Sequence, residues 1–101
     1  MSPSEPLHDA TFLDLRADWA AGDVALRFRT ATAELTIRGV RATRLDWTRR
    51  LPWGESVSVN EVTGPTALPK GSGWRFEVEM QTGDTLILEA AEITEQRVPL
   101  S

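Results

Sequence analysis

Short stretches of alternating apolar and polar residues dominate the chain, and a period of two is the mark of a strand with one buried face. From Thr11, Leu13, Leu15, Ala17 and Trp19 alternate with Phe12, Asp14, Arg16 and Asp18; beyond Gly22, Val24, Leu26 and Phe28 alternate with Ala25, Arg27 and Arg29. This pattern predicts a hairpin. A two-residue loop at Ala21-Gly22 aligns the apolar faces, with Trp19 opposite Val24, Ala17 opposite Leu26, Leu15 opposite Phe28, and Asp14 meeting Arg29 on the other face. A three-residue loop would set Trp19 against Asp23 and is rejected, because a one-residue slip turns every side chain to the wrong face.

A third strand, Glu34 to Gly39, carries Leu35 and Ile37 inward. An even-length connection pairs Phe28 with Leu35, Leu26 with Ile37 and Arg29 with Glu34. In Val40 to Thr48 the apolar parity changes between Val40 and Leu45, so a fourth strand is expected with a bulge or bend at Gly39 or Ala42. Leu51-Pro52-Trp53-Gly54 fits a type I turn, with proline at its second position and glycine at its fourth, and places Trp53 at the tip. A fifth strand follows through Val57 and Val59, its alternation broken at Glu61 and Val62 by a bulge near Asn60.

The connection Thr63 to Gly73 holds three glycines and two prolines and is expected to be an exposed loop. In the last hairpin a two-residue loop would oppose Glu79 and Glu77 to Leu86 and Leu88. A three-residue loop, Gln81-Thr82-Gly83, with a left-handed glycine instead pairs Val78 with Leu86, Phe76 with Leu88 and Trp74 with Ala90. The tail from Ala91 is expected to be a short strand or helical turn. The sum is an all-β chain of about seven strands, an antiparallel sandwich or small open barrel, forming one domain over residues 7–98 behind a loose arm, Met1 to Pro6.

Composition narrows the chemistry. The chain has 101 residues, no cysteine, one histidine and a formal charge of -4. A thiolate site, a disulfide framework and a histidine cluster within one chain are excluded, and no cofactor or metal is expected. Net acidity argues against nucleic acid and anionic membranes as partners. The basic run Arg41, Arg44, Arg49, Arg50 around Trp47 is better explained by salt pairing with the acidic last hairpin than by aromatic interleaving with bases. No apolar run approaches a membrane span, and MSPSEPLHDA lacks the basic start and apolar centre of a signal peptide, so a cytoplasmic location is expected.

Candidate chemistry is sparse. His8-Asp9 has the residue types for acid-base work, yet no nucleophile motif surrounds it, and a strand-entry pair bonding nearby backbone is the plainer reading. Glu55 and Glu61 flank the fifth strand at roughly 20 Å, too far apart to act as a carboxylate pair. Trp19, Trp47 and Trp74 are assigned to the core, whereas Trp53 is either an interface anchor or a lid over one end of the fold. The nominated binding residues are therefore Trp53, Glu55, Asn60, Glu61, His8 and Asp9.

With LHDATFLDL at the start, LPWGESVSVNEV in the middle and EVEMQTGDTLILEAAEI at the end, the chain resembles a family of small uncharacterised bacterial β domains. Those domains open on His-Asp-Ala and carry a Pro-Trp-Gly turn; here Phe12 stands where the family pattern has leucine. The opening is also loosely similar to that of toxin-immunity proteins. The resemblance implies no transferable activity. Together these readings lead to the expectation of a non-enzymatic domain that binds another protein, an immunity-like partner of a basic protein, or else a second copy of itself through an edge strand. The alternative is a small-molecule binder or minor enzyme with a pocket bordered by His8, Asp9, Trp53 and Asn60.

Overall fold

The computed structural model describes residues 7–49 and 58–100. The expectations for Met1 to Pro6, for the turn carrying Trp53 and for Glu55 lie outside the described residues. Within them are six strands: β1 (Thr11–Asp18), β2 (Asp23–Arg29), β3 (Ala33–Thr48), β4 (Val59–Ala67), β5 (Trp74–Met80) and β6 (Thr85–Pro99), with a short 3-10 turn at Pro69–Gly71. All neighbours pair antiparallel in one open sheet ordered β1-β2-β3-β6-β5-β4. Two three-stranded meanders are thus joined along their long strands, β3 and β6. The sheet curls until its edge strands touch at one point, where Thr11 bridges Ser58. The all-β antiparallel fold is the expected one; in place of a sandwich of two sheets there is one open, unclosed sheet, nearer the small open barrel, with six strands among the described residues rather than about seven.

Several registers follow the pattern logic. Phe28 faces Leu35, Leu26 faces Ile37 and Arg29 faces Glu34. In the last hairpin Val78 faces Leu86, Phe76 faces Leu88 and Trp74 faces Ala90, with Gly83 at φ +91° in the turn. The β4–β5 register shifts between Val59 and Glu61, which makes Asn60 the extra residue and returns Val62 to the face it shares with Val59. Leu26, Phe28, Leu35, Val59 and Leu88 are fully buried.

Other expectations are corrected. The first hairpin closes through four residues, Trp19 to Gly22, with Asp18 opposite Asp23 and Ala17 opposite Val24. Face parity survives because the slip is two residues, but Trp19 moves from the strand into the turn and is 99% exposed. The Asp18 side chain accepts from the Ala21 amide at 3.1 Å, and the Gly22 amide donates to the Asp18 carbonyl, bonds that favour the longer loop. A register shift between Phe12 and Asp14 then turns Phe12 inward, where it stacks on Phe28 with ring centroids 5.1 Å apart.

The expected third and fourth strands are one, β3. Its parity change is absorbed by a shift between Ala42 and Arg44, beside Arg41 at φ +54°, so no turn is needed. The supposed loop Thr63 to Gly73 continues β4 as far as Ala67; proline is tolerated there because an edge strand need not donate outward. The tail is the second half of β6, paired with β3 beyond the point where β5 ends at Ala90. Trp74 and Trp47 lie across from the buried Ala90 and Leu86, as core-facing residues should, yet they are 42% and 47% exposed because both sit at the rim of the curled sheet.

The outer surface is laced by cross-strand ion pairs. Arg27 on β2 donates through Nε to Asp14 on β1 at 2.9 Å and through Nη1 to Glu34 on β3 at 2.9 Å. Arg44 reaches Asp46 and Glu89, and Arg41 reaches Glu92, so two residues of the basic run pair with carboxylates, Glu89 and Glu92 lying on β6. The hydrogen bond from Arg27 holds the Asp14 carboxyl below the usual carboxylate range, against a smaller opposing effect of burial.

A depressed folded-state pKa contributes stability above the unfolded value and loses it as pH falls through the folded one. Asp14→Asn is therefore expected to lower stability at pH 7 by roughly 0.5–1 kcal/mol, the range for solvent-exposed pairs, since Asp14 remains 39% exposed. Urea denaturation should show the deficit intact at neutral pH and vanishing as the pH drops below the carboxylate range.

Candidate functional site

The edges of the sheet meet at a turn built by Leu7 to Ala10. Leu7 and Ala10 are buried, and the Ala10 amide donates to the Leu7 carbonyl at 3.0 Å. The two residues between them are thereby pushed outward, with Asp9 in the left-handed region at φ +67°. Aspartate tolerates that region better than most residues, because its short polar side chain bonds locally. Backbone bonds tie this turn to β4: Asp9 N–H to the Val59 carbonyl at 2.8 Å and Val59 N–H to the Ala10 carbonyl at 2.9 Å. The Gln81 amide donates to the Ser58 carbonyl at 2.9 Å and brings the β5–β6 turn to the same place.

At this seam the side chains form a continuous row. His8 Nδ1 lies 2.6 Å from the Asn60 carbonyl; because a carbonyl only accepts, Nδ1 carries the hydrogen. His8 Nε2 lies 3.5 Å from Asp9 Oδ2, an ion pair only when the ring bears its second proton. Gln81 Nε2 donates to Asp9 Oδ1, and Asn60 Nδ2 donates to Glu79 Oε1 at 3.0 Å. The bulge at Asn60 is what turns its amide toward β5.

Of the nominated residues, the structure thus unites His8, Asp9 and Asn60 and places Glu61 next along β4. Of the His8-Asp9 pair expected to bond nearby backbone, His8 bonds backbone only across the seam, at Asn60, and the Asp9 side chain bonds Gln81 instead. Glu79 and Gln81 belong to the row and were not nominated. Their outward parity and turn position are readable from the last hairpin, but nothing in the pattern says that β4 pairs with β5 or that β1 returns to β4.

Beyond the row, Glu61 stands directly opposite Glu79 in the β4–β5 register, and Thr63 stands opposite Glu77. Together with Thr85 and Ile87 they line a hollow of about 320 Å³ on the outer surface of β4, β5 and β6. Glu77 is held by Arg75 at 2.8 Å. A second, wider hollow of about 730 Å³ lies on the outer face of the other meander beside Trp19, and Asp23 and Arg38 on its floor pair at 2.9 Å.

Among the described residues no group of three or more histidine or acidic side chains is arranged to hold a metal ion. Among the described residues no helix is long and apolar enough to cross a membrane. His8, Asp9, Asn60, Glu61 and Glu79 are all exposed to water, where charge stabilisation of a transition state is weak. The arrangement is equipped to hydrogen-bond and ion-pair with another surface. Compared with known proteins, the chain matches no family model, no curated protein and no solved structure.

Proposed function

We propose that the chain is a non-enzymatic, cytoplasmic protein-binding domain whose partner presents a basic surface to the hollow bounded by Glu61, Glu77 and Glu79. The observation that carries this reading is the direct opposition of Glu61 and Glu79. Like charges facing each other across two strands destabilise a sheet by roughly 0.2–1 kcal/mol. A second such pair among the described residues, Asp18 and Asp23, is compensated locally, by the Ala21 amide and by Arg38. At Glu79 the compensation is a neutral amide from Asn60, which leaves the net charge of the hollow acidic.

A cation from a partner would relieve this opposition, so part of the binding energy is stored as strain in the free domain. An immunity-like role, capping a basic protein, is the specific form of this proposal that the sequence resemblance favours. A small-molecule site near His8, Asp9, Asn60 and Trp53 is the second reading, supported by the convergence of the first three.

Glu61→Lys separates stability from binding. It replaces a repulsion with a cross-strand attraction, so thermal unfolding should shift upward, by the equivalent of roughly 0.2–1 kcal/mol. Capture of a partner from a bacterial lysate on the immobilised variant should fall, and capture by the wild type should weaken as added salt screens the contact. Equal recovery of the same salt-sensitive partner by wild type, Glu61→Lys and Glu79→Lys would remove the hollow from consideration.

A further inference from the structure

Trp19 lines the wider of the two hollows, yet 99% of its surface is open to water. A large apolar ring standing wholly in solvent adds nothing to the core, and a residue of this kind is the informative exception on a protein surface. Its turn is firmly tied. The Asp18 side chain and carbonyl hold the Ala21 and Gly22 amides, and the Ala42 amide donates to the Gly22 carbonyl at 2.7 Å, docking the turn on β3. A ring presented from so constrained a turn has little freedom left to lose when a ligand packs against it.

The floor of the hollow follows from the register. Arg16 of β1 lies opposite Ala25 of β2, and Ala25 lies opposite Arg38 of β3, so one small side chain separates two long ones on the outer face. That gap is the trough. Thr36 pairs with Gln96 across β3 and β6 at one side of it, and the facing residues Asp18 and Asp23 lie toward Trp19. At about 730 Å³ the hollow is within the range of about 300–1,000 Å³ in which small ligands bind.

Charge decides which chemistry fits. Arg16 and Arg38 balance Asp18 and Asp23, so this hollow is neutral where the one at Glu61 and Glu79 is acidic. An anion would meet two carboxylates here, and a cation two guanidinium groups. Hydrogen-bonding capacity is ample in both directions. Among the described residues Arg16 stands in no ion pair, Asp18 is engaged through Oδ1 and Arg38 through Nη2, and Thr36 and Gln96 can each donate and accept. A hydroxyl group also donates and accepts at one atom, so a hydroxyl-rich ligand satisfies such a lining without carrying charge. A pyranose ring adds an apolar face of C–H groups, whose partial positive charge suits the negative face of an indole.

We propose that this hollow binds a neutral oligosaccharide, with one sugar ring against Trp19 and neighbouring hydroxyls bonded by Arg16, Asp18 and Gln96. The site draws on β1, β2, β3 and the second half of β6, so it is separate from the acidic hollow of β4 and β5.

Maltohexaose, cellohexaose and N-acetylated chitohexaose, each titrated to about 5 mM so that millimolar affinities are reached, are the probes. At least one should shift the Trp19 indole N–H signal saturably in nitrogen-15 spectra of the full chain, that signal being identified by its loss in Trp19→Phe. By calorimetry, Trp19→Ala should weaken binding by about tenfold or more, and Arg16→Ala and Gln96→Ala by about fivefold each, the effect of one lost hydrogen bond. Because Trp19 is uncovered, Trp19→Ala should keep the wild-type far-UV spectrum and melting temperature, which separates loss of binding from loss of fold. The proposal is overturned if none of the sugars moves the Trp19 signal, if sodium sulfate moves it as strongly, or if binding survives Trp19→Ala. Capture of a lysate protein that needs Trp19, with no sugar bound, would assign the ring to a protein interface and overturn it as well.

Discussion

Phe28→Ala is expected to lower the free energy of unfolding by about 3–5 kcal/mol, the range for truncating a fully buried aromatic residue. Phe28 is completely inaccessible, lies between Phe12 of β1 and Leu35 of β3, and stacks on the Phe12 ring. Its removal leaves a void that the two neighbouring strands cannot close without breaking their ladders. With the shift of about 4–8 °C per kcal/mol typical of a domain near this size, the melting temperature should drop by at least about 12 °C. Phe12→Ala is a graded control: Phe12 is only half-buried, so it should cost clearly less. Circular dichroism melts of the two variants measure the difference, and equal losses would mean that Phe28 is not the closer-packed partner.

Gly73→Ala should be nearly as damaging, for a different reason. Gly73 sits at φ +135°, and a Cβ added there would meet the Ala90 carbonyl oxygen at 2.4 Å. That oxygen belongs to the backbone of β6, so no side-chain rotation relieves the overlap. A strained dihedral costs about 1–3 kcal/mol by itself, and displacing β5 from β6 adds to it, so a total of about 2–4 kcal/mol is expected. Gly71→Ala supplies the contrast. It is also left-handed, at φ +67°, but nothing lies within 4 Å of its added Cβ, so only the dihedral cost of about 1 kcal/mol applies. Urea midpoints of the two variants should differ accordingly, and similar losses would place the cost in the dihedral alone.

Where a hairpin has one turn solution that puts apolar residues on one face, the register is legible without coordinates. The Gln81-Thr82-Gly83 turn and the Phe28–Leu35 pairing are such cases, since every alternative buries a carboxylate or exposes a leucine. The bulge at Asn60 was readable for the same reason, a single break in an otherwise regular alternation. Trp19 escaped because two hairpin lengths of equal parity satisfy the same alternation. What chose between them was local hydrogen bonding by Asp18 and the docking of the turn on β3, where the Ala42 amide donates to the Gly22 carbonyl at 2.7 Å. The tail escaped because EITEQRVP carries little apolar signal, and pairing with β3 alone makes it a strand.

Of the candidate site, the sequence itself picked out His8, Asp9, Asn60 and Glu61 as residue types without a place in the core. Only the fold could bring them together, because His8 and Asn60 are 52 positions apart and meet through the curl of the sheet. The alternation of side chains thus determined the fold class, the faces and most turns, all of which depend on neighbours along the chain. Tertiary structure decided which strands lie side by side, which tryptophans reach the rim and that Glu61 faces Glu79, because each depends on contacts between strands that the local pattern leaves equivalent.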